Sequence, residues 1–163
     1  NYPNSRTNLG IRLNSASISR QWQASDSEIA YWANTTWSLG STTSSTTFLY
    51  GCPHLRSIIY SRWSSILGNL TITSCPSLTT IEIAGTTQGP AGNLNLTGAP
   101  NLSLQSMVDL VRTSQNGANA KTYTVAGNTW TACQNDTTTY TQGGQTYVGI
   151  IAYAAARNLT ITN

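Results

Sequence analysis

The sequence predicts an α/β fold, a small solenoid of short parallel strands closed by a strand, helix, strand terminal cap. Three observations predict it. A phrase recurs as Gly51-Cys52-Pro53-His54-Leu55, Ser74-Cys75-Pro76-Ser77-Leu78 and Gly98-Ala99-Pro100-Asn101-Leu102, at intervals of 23 and 24 residues. Apolar positions keep that step, with Leu49, Ile72 and Leu96 three residues before each Cys or Ala, and Ile58 and Ile81 six after the two cysteines. After Leu102 the rhythm changes to helical spacing. A period in this range marks units that bury their apolar sides only by stacking on one another.

Taken in order, Leu9-Gly10-Ile11-Arg12-Leu13 and Ala16-Ser17-Ile18-Ser19 alternate like strands and are expected to begin the stack. Ser25-Asp26-Ser27-Glu28 forms a capping-box pattern ahead of Ile29, Ala30, Trp32 and Ala33, which predicts a short helix from about Asp26 to Asn34. The Ser/Thr-rich stretch from Ser38 to Thr47 reads as an exposed loop. Leu70-Thr71-Ile72-Thr73 and Ile81-Glu82-Ile83 alternate apolar and polar on either side of the Cys75-Pro76 corner, so each repeat supplies two short strands and a bend. Proline there fixes φ and donates no hydrogen bond, which suits a chain leaving one sheet for another. Asn93-Leu94-Asn95-Leu96-Thr97 repeats the first strand.

Leu104, Met107, Val108 and Val111 then fall at helical spacing behind Ser103 as a candidate cap, and Asn116-Gly117 follows as a stop, so a helix is predicted over 103 to 114. Lys121 to Val125 reads as a strand, Tyr147 to Arg157 as an Ala-rich helix, and Asn158 to Thr162 as a last strand. Two more polar stretches, 85 to 92 and 134 to 145, are expected to project from the stack as loops. The whole reads as one domain over 1–163, with an irregular N-terminal part to residue 47, repeats over 48–102 and a C-terminal cap over 103–163.

Composition narrows the function. Charged residues are 8% of the chain against about 25% in ordinary soluble domains, with Ser, Thr and Asn making up the difference. This neutral polar surface, with a single Lys, points to an extracellular, cell-surface or virion location. The formal net charge is +3 and the basic residues are scattered, so no patch suits a phosphate backbone and no nucleic-acid partner is expected. No apolar run reaches a membrane span, and Asn1-Tyr2-Pro3-Asn4 does not read as a signal peptide; a soluble chain, processed or excised from something longer, is expected. Cys52, Cys75 and Cys133 are an odd set without a CxxC pair, which speaks against a disulfide framework or zinc knuckle. Cys52 and Cys75 hold equivalent repeat positions and are expected inside as stacked neighbours; a bridge between them stays open.

Little in the sequence points to catalytic chemistry. A glycosidase needs two carboxylates facing across a groove, and Asp26 and Glu28 are too close in sequence for that. They read as helix-start charges. Glu82, between Ile81 and Ile83, should face solvent. His54 is the only histidine, and the other repeats carry Ser77 and Asn101 at its position, so it reads as a turn residue beside an inward Cys52 rather than a nucleophile's base. No phosphate loop, nucleophile elbow, metalloprotease or calcium-loop motif occurs. No catalytic residue, cofactor or metal site is therefore expected. Aromatics are more informative: five Trp accompany one Phe, and such rings bury much area while keeping a polar tip, which favours interfaces. Trp37 beside the Ser/Thr-rich loop and Trp63 in Ser61-Arg62-Trp63-Ser64-Ser65 lie in polar surroundings. With Tyr60, Arg62 and Trp130 they form the candidate ligand-binding set.

The units Leu49-Tyr-Gly-Cys52-Pro-His-Leu55-Arg-Ser-Ile58 and Leu70-Thr-Ile-Thr-Ser-Cys75-Pro-Ser-Leu78-Thr-Thr-Ile81-Glu-Ile83 resemble BspA-like leucine-rich repeats, whose pattern centres on C-x-x-L-x-x-I. The segment from Ser103 to Thr162 is similar to the C-terminal cap of such proteins from gut-type bacteria and their phages. The third unit departs from the pattern with Ala99 for Cys and Gln105 for Ile. The resemblance covers roughly residues 48 to 162 and implies a leucine-rich-repeat-like solenoid acting in surface-displayed adhesion or recognition. The expected partner is a cell-surface glycan or protein. A self-assembling subunit of a fibre or phage appendage, contacting copies of itself or other virion proteins, is the alternative, and a carbohydrate-active enzyme a weaker one.

Overall fold

The computed structural model describes residues 12–15, 18–19, 29–32, 46–51, 53–60, 69–83, 89–114 and 119–163. Along the chain run β1 (Arg12–Ser15), β2 (Ile18–Ser19), β3 (Ile29–Trp32), β4 (Thr46–Tyr50), β5 (Ser57–Tyr60), β6 (Asn69–Thr73), β7 (Thr80–Ile83) and β8 (Leu94–Asn95). They are followed by α1 (Leu104–Thr113), β9 (Lys121–Thr124), α2 (Gly127–Gln134), β10 (Thr139–Gln142), β11 (Gln145–Val148), α3 (Ile150–Ala155) and β12 (Leu159–Thr162). The fold is mixed α/β, with few helices and mostly parallel strand pairs.

The recurring apolar positions become rungs. In a seven-stranded sheet ordered β12-β9-β8-β6-β4-β1-β2, β4 pairs with β6 and β6 with β8 in parallel, placing Leu49 level with Ile72 and Leu70 level with Leu94. A three-stranded parallel sheet ordered β3-β5-β7 places Ile58 level with Ile81. The 23- and 24-residue steps are therefore the pairing registers themselves. Ile58, Leu70, Ile72, Ile81, Leu94 and Leu96 are all buried in one core with Leu55, Leu78 and Leu102 of the repeated phrase. Glu82 is exposed, as its place between two isoleucines predicts.

The Cys75-Pro76 corner carries the chain from the long sheet to the short one. Adjacent corners are tied by backbone bonds, Gly51 N to Thr73 O at 3.1 Å, Gly98 N to Ile72 O at 3.1 Å and Cys75 N to Gly98 O at 2.9 Å. The residue before the Cys is left-handed in both early units, φ 64° at Gly51 and 55° at Ser74. At Gly98 the constraint is space, since a Cβ would collide with the Thr73 backbone and the Ile72 carbonyl. Cys75 and Ala99 are fully buried, and the Cys75 thiol donates to Thr73 O at 3.4 Å. Cys52 lies outside the described residues, and so does its stacking on Cys75.

Asparagines reinforce the steps. Asn69 Oδ1 accepts from Asn93 N at 2.8 Å, and Asn93 Oδ1 accepts from Thr122 N at 2.8 Å. At the corner, Asn128 Nδ2 donates to Asn101 Oδ1 at 2.8 Å, and Asn101 Nδ2 donates to Pro76 O at 2.9 Å. These bonds lie at the surface, and the neutral amide supplies both the acceptor and the donor that they need.

The helix predicted over 103 to 114 is α1, its first turn capped by Ser103 Oγ, which accepts from Ser106 N at 3.2 Å. Its buried face is Ser106, Met107, Leu110 and Val111. The strands expected at 121 to 125 and 158 to 162 are β9 and β12, paired in parallel. Elsewhere the expectations need correction. The helix predicted from Asp26 to Asn34 is replaced at Ile29–Trp32 by β3, which pairs in parallel with β5. A lone helix that short is marginal in water, whereas an Ile-Ala-Tyr-Trp run beside an existing strand is favourable. The first strands do not extend the parallel pattern, since β1 is antiparallel to both β2 and β4.

The predicted loop over 134 to 145 instead holds the end of α2, which the sequence pattern did not suggest, and most of the β10-β11 hairpin. Gly143 and Gly144, with φ of 59° and 78°, supply its two-residue turn. The helix predicted from Tyr147 starts only at Ile150, because Tyr147 and Val148 belong to β11 and Gly149 breaks the chain direction at φ 81°. The terminal unit is thus richer than a strand, helix, strand cap. Of the stretch 85 to 92, Gly89 and Pro90 do not project. They are buried, with Gly89 N donating to Thr113 O at 2.6 Å. Of the stretch 38 to 47, Thr46 and Thr47 open β4, and the remainder lies outside the described residues.

Candidate functional site

Trp37, Arg62 and Trp63 lie outside the described residues. Tyr60 ends β5, its backbone level with Trp32 and Ile83 in the short sheet. Trp130 sits on α2 in the C-terminal unit, partly buried against the core. Tyr60 and Trp130 thus belong to different elements, β5 and α2.

The C-terminal unit gathers aromatics of its own. Tyr140 of β10 stacks on Tyr153 of α3, ring centroids 4.9 Å apart, while Tyr147 and Trp130 pack against the same core. Beside them Val148 is 64% exposed and Ile151 38% exposed, unusual for large apolar side chains. Asp136 organises this surface. Its Oδ1 accepts from Thr138 N at 2.9 Å, and its Oδ2 accepts from Tyr140 Oη and Ile150 N, both at 2.8 Å. Desolvation alone would raise the Asp136 pKa, but the hydrogen bonds from Thr138, Tyr140 and Ile150 outweigh it and leave it below the usual value. Burial and the bond to Asp136 push the Tyr140 phenol up to about 12. A carboxylate that accepts these three bonds is a joint between α2, the hairpin and α3.

The other titratable groups are also structural. Burial, then the charge of Asp136, pushes the Cys133 thiol up to about 11, so it stays protonated and poorly nucleophilic. Arg157 donates through Nε to Val111 O at 2.9 Å, through Nη2 to Ser114 O at 2.7 Å and through Nη1 to Gln142 Oε1 at 2.7 Å, placing positive charge at the C-terminal end of α1. Beneath it Lys121 is buried, its pKa lowered by desolvation and then by Arg157. Tyr123 is buried too, with desolvation raising its pKa and the charge of Arg157 pulling the other way; by geometry neither the Tyr123 nor the Ser114 hydroxyl completes a hydrogen bond. His54 is exposed on the turn after β4. Among the described residues no cluster of His, Cys, Asp and Glu could hold a metal, and no helix is long and apolar enough to cross a membrane.

A second surface went unread in the sequence. The long sheet turns Leu70, Leu94, Tyr123 and Ile161 inward in one register row. The next row outward is Thr71, Asn95, Thr124 and Thr162, exposed or half-exposed, with Thr122 level with Thr160 beside it. The signal was legible in the four segments Leu70-Thr71-Ile72-Thr73, Leu94-Asn95-Leu96-Thr97, Thr122-Tyr123-Thr124 and Leu159-Thr160-Ile161-Thr162, whose polar members are all Thr or Asn. Comparison of the chain with protein-family models, curated proteins and solved structures gave no match.

Proposed function

We propose that this chain is a leucine-rich-repeat-like solenoid of the BspA type, serving as a recognition or adhesion module at a cell or virion surface and binding glycan or protein without catalysis. The observation that carries the reading is the register: strands pair in parallel at the same 23- and 24-residue steps at which the Cys-Pro phrase recurs. Stacked units of this kind build extended surfaces suited to binding. The neutral, Ser/Thr/Asn-rich composition supports exposure outside the cell, while the Asp136 carboxylate bonds the start of α3 and the Cys133 thiol is buried. The test is a glycan array together with capture of surface proteins, using the intact chain and the Trp37→Ala and Trp63→Ala variants. Specific retention lost in either variant supports recognition through those rings. Turnover of any polysaccharide overturns the non-catalytic claim.

A structural role in a fibre or appendage is the second reading, favoured by the exposure of Val148 and Ile151 on the hairpin and α3. Light scattering separates the two. A monodisperse monomer counts against self-assembly, and an ordered oligomer dissolved by Val148→Asp counts for it.

A further inference from the structure

We infer that the outward face of β6, β8, β9 and β12 in the long sheet is a contact surface for a neutral, hydroxyl-rich polysaccharide chain lying across the strands; this rests on the recognition reading above and names its ligand class and its site. The row Thr71, Asn95, Thr124 and Thr162 crosses four neighbouring strands in continuous register. Strand spacing sets its step at about 4.8 Å, and residues two apart on one strand are about 6.6 Å apart. The face is thus a two-dimensional lattice of hydrogen-bonding groups rather than a scatter of polar residues.

Three properties select the partner. First, the outward positions of β6, β8, β9 and β12 are Thr and Asn, so the part of the face that these four strands build carries no charge. A polyanion, a polycation or a charged protein patch would lose solvation there and gain no counter-charge, whereas a neutral polyol loses little. Second, the hydroxyls of Thr71, Thr124 and Thr160 make no hydrogen bond within the chain, among the described residues. They remain available, while Thr162 Oγ1 donates to Asn163 O at 3.3 Å and Asn95 Oδ1 accepts from Thr97 N at 3.2 Å and Thr97 Oγ1 at 2.8 Å. Third, Thr is stiff at χ1 and stands on a paired strand, so little rotamer entropy is lost when a ligand orders it. Each Thr also offers a methyl beside its hydroxyl, which matches the alternating C–H and O–H edges of a sugar ring. A repeating ligand would engage successive rungs at once, and weak contacts would add through multivalency.

The face is distinct from the short sheet and from the aromatic surface of the C-terminal unit, which allows a discriminating experiment. The intact chain is mixed with insoluble linear neutral glucan and, separately, with a soluble polyuronate, and bound protein is measured by sedimentation and by gel retardation. Binding to the neutral glucan, falling about tenfold or more in Thr124→Lys, is expected, because the lysine would be desolvated against an uncharged partner. Thr124→Ala, which removes only the hydroxyl and methyl, should give a smaller loss, and Val148→Asp on the other surface none. Unchanged thermal melting of each variant shows that folding is intact. Glucan binding that survives Thr124→Lys in a folded protein, or preference for the polyuronate, overturns this inference and leaves the recognition reading standing. Binding only to a protein ligand, or adsorption to ice without adsorption to glucan, also overturns it. No binding to glycan or protein of any kind removes both.

Discussion

The repeated strands between residues 46 and 83 and the C-terminal unit from Ser103 onward both have to satisfy backbone groups in close packing, and they do so differently. In the first region each strand meets an equivalent strand, so backbone pairs with backbone, Leu49 level with Ile72 and Ile58 level with Ile81. In the second the equivalents run out. Side chains then take over: Ser106 Oγ accepts from Ile81 N at 2.9 Å, Thr129 Oγ1 donates to Leu102 O at 3.1 Å, Asp136 holds the start of α3, and Arg157 closes the end of α1. Repetition makes stability collective, and its end makes stability depend on individual polar groups.

The largest expected effect tests whether the two regions share one core. Ile72→Ala removes a fully buried rung and should destabilise the protein by about 2 to 5 kcal/mol. A single shifted thermal transition would show that the repeats and the C-terminal unit unfold together; two transitions, only one of them shifted, would break the comparison into independent parts. Ser106→Ala comes next, at about 1 to 3 kcal/mol, since it leaves the Ile81 amide buried without its acceptor. Denaturant titration should show it costing more than Ser103→Ala, which removes a cap at about 1 kcal/mol. The reverse order would shift the emphasis from strand closure to helix capping.

Asp136→Asn should cost about 1 kcal/mol near neutral pH by weakening charge-assisted bonds. The folded-state pKa of Asp136 lies below the ordinary 3.8, so its stabilisation is present above that value and disappears as pH falls through the lowered folded value. Melting temperatures of wild type and variant should therefore converge below about pH 4. Parallel curves would remove Asp136 from the account. The smallest effect is a gain. Ser74→Gly relieves a left-handed serine where the preceding unit already has Gly51, and should stabilise by about 0.5 to 1 kcal/mol in the same assay.

This contrast also explains what the sequence made legible. Ile72, Ile81 and Leu96 were recognisable because their neighbours in space are their copies in sequence, and Ser103 because helix caps are local. The strand at Ile29–Trp32 was misread because Ser25 to Glu28 carries a strong local helix signal, while its actual partner, β5, lies 28 residues away. The hairpin at Gly143-Gly144 was hidden by composition, its strands Thr139–Gln142 and Gln145–Val148 having almost no apolar alternation. At the candidate site, aromatic content points to Trp130, but nothing in a lone Arg announces that Arg157 bonds Val111 and Ser114 more than 40 residues away, and nothing in a lone Asp announces that Asp136 ties its own turn to Ile150. The Thr and Asn of the outward rows were visible as alternation, yet their meaning as a lattice depends on register, which only the paired strands supply.

The hydrogen bond from Ile81 N to Ser106 Oγ gives the molecule a direction. The short sheet ends at β7, sealed by Ser106 and by Ser103 N on Thr79 O at 2.8 Å, while the long sheet continues through β8 and β9 to β12. A duplicated unit inserted ahead of β7 would keep this closure intact and lengthen both sheets together. The same unit inserted after Ser106 would find the short sheet already closed. Under the solenoid reading proposed above, length is free to change on one side of the seal only, and the C-terminal unit stays constant while the surface in front of it grows.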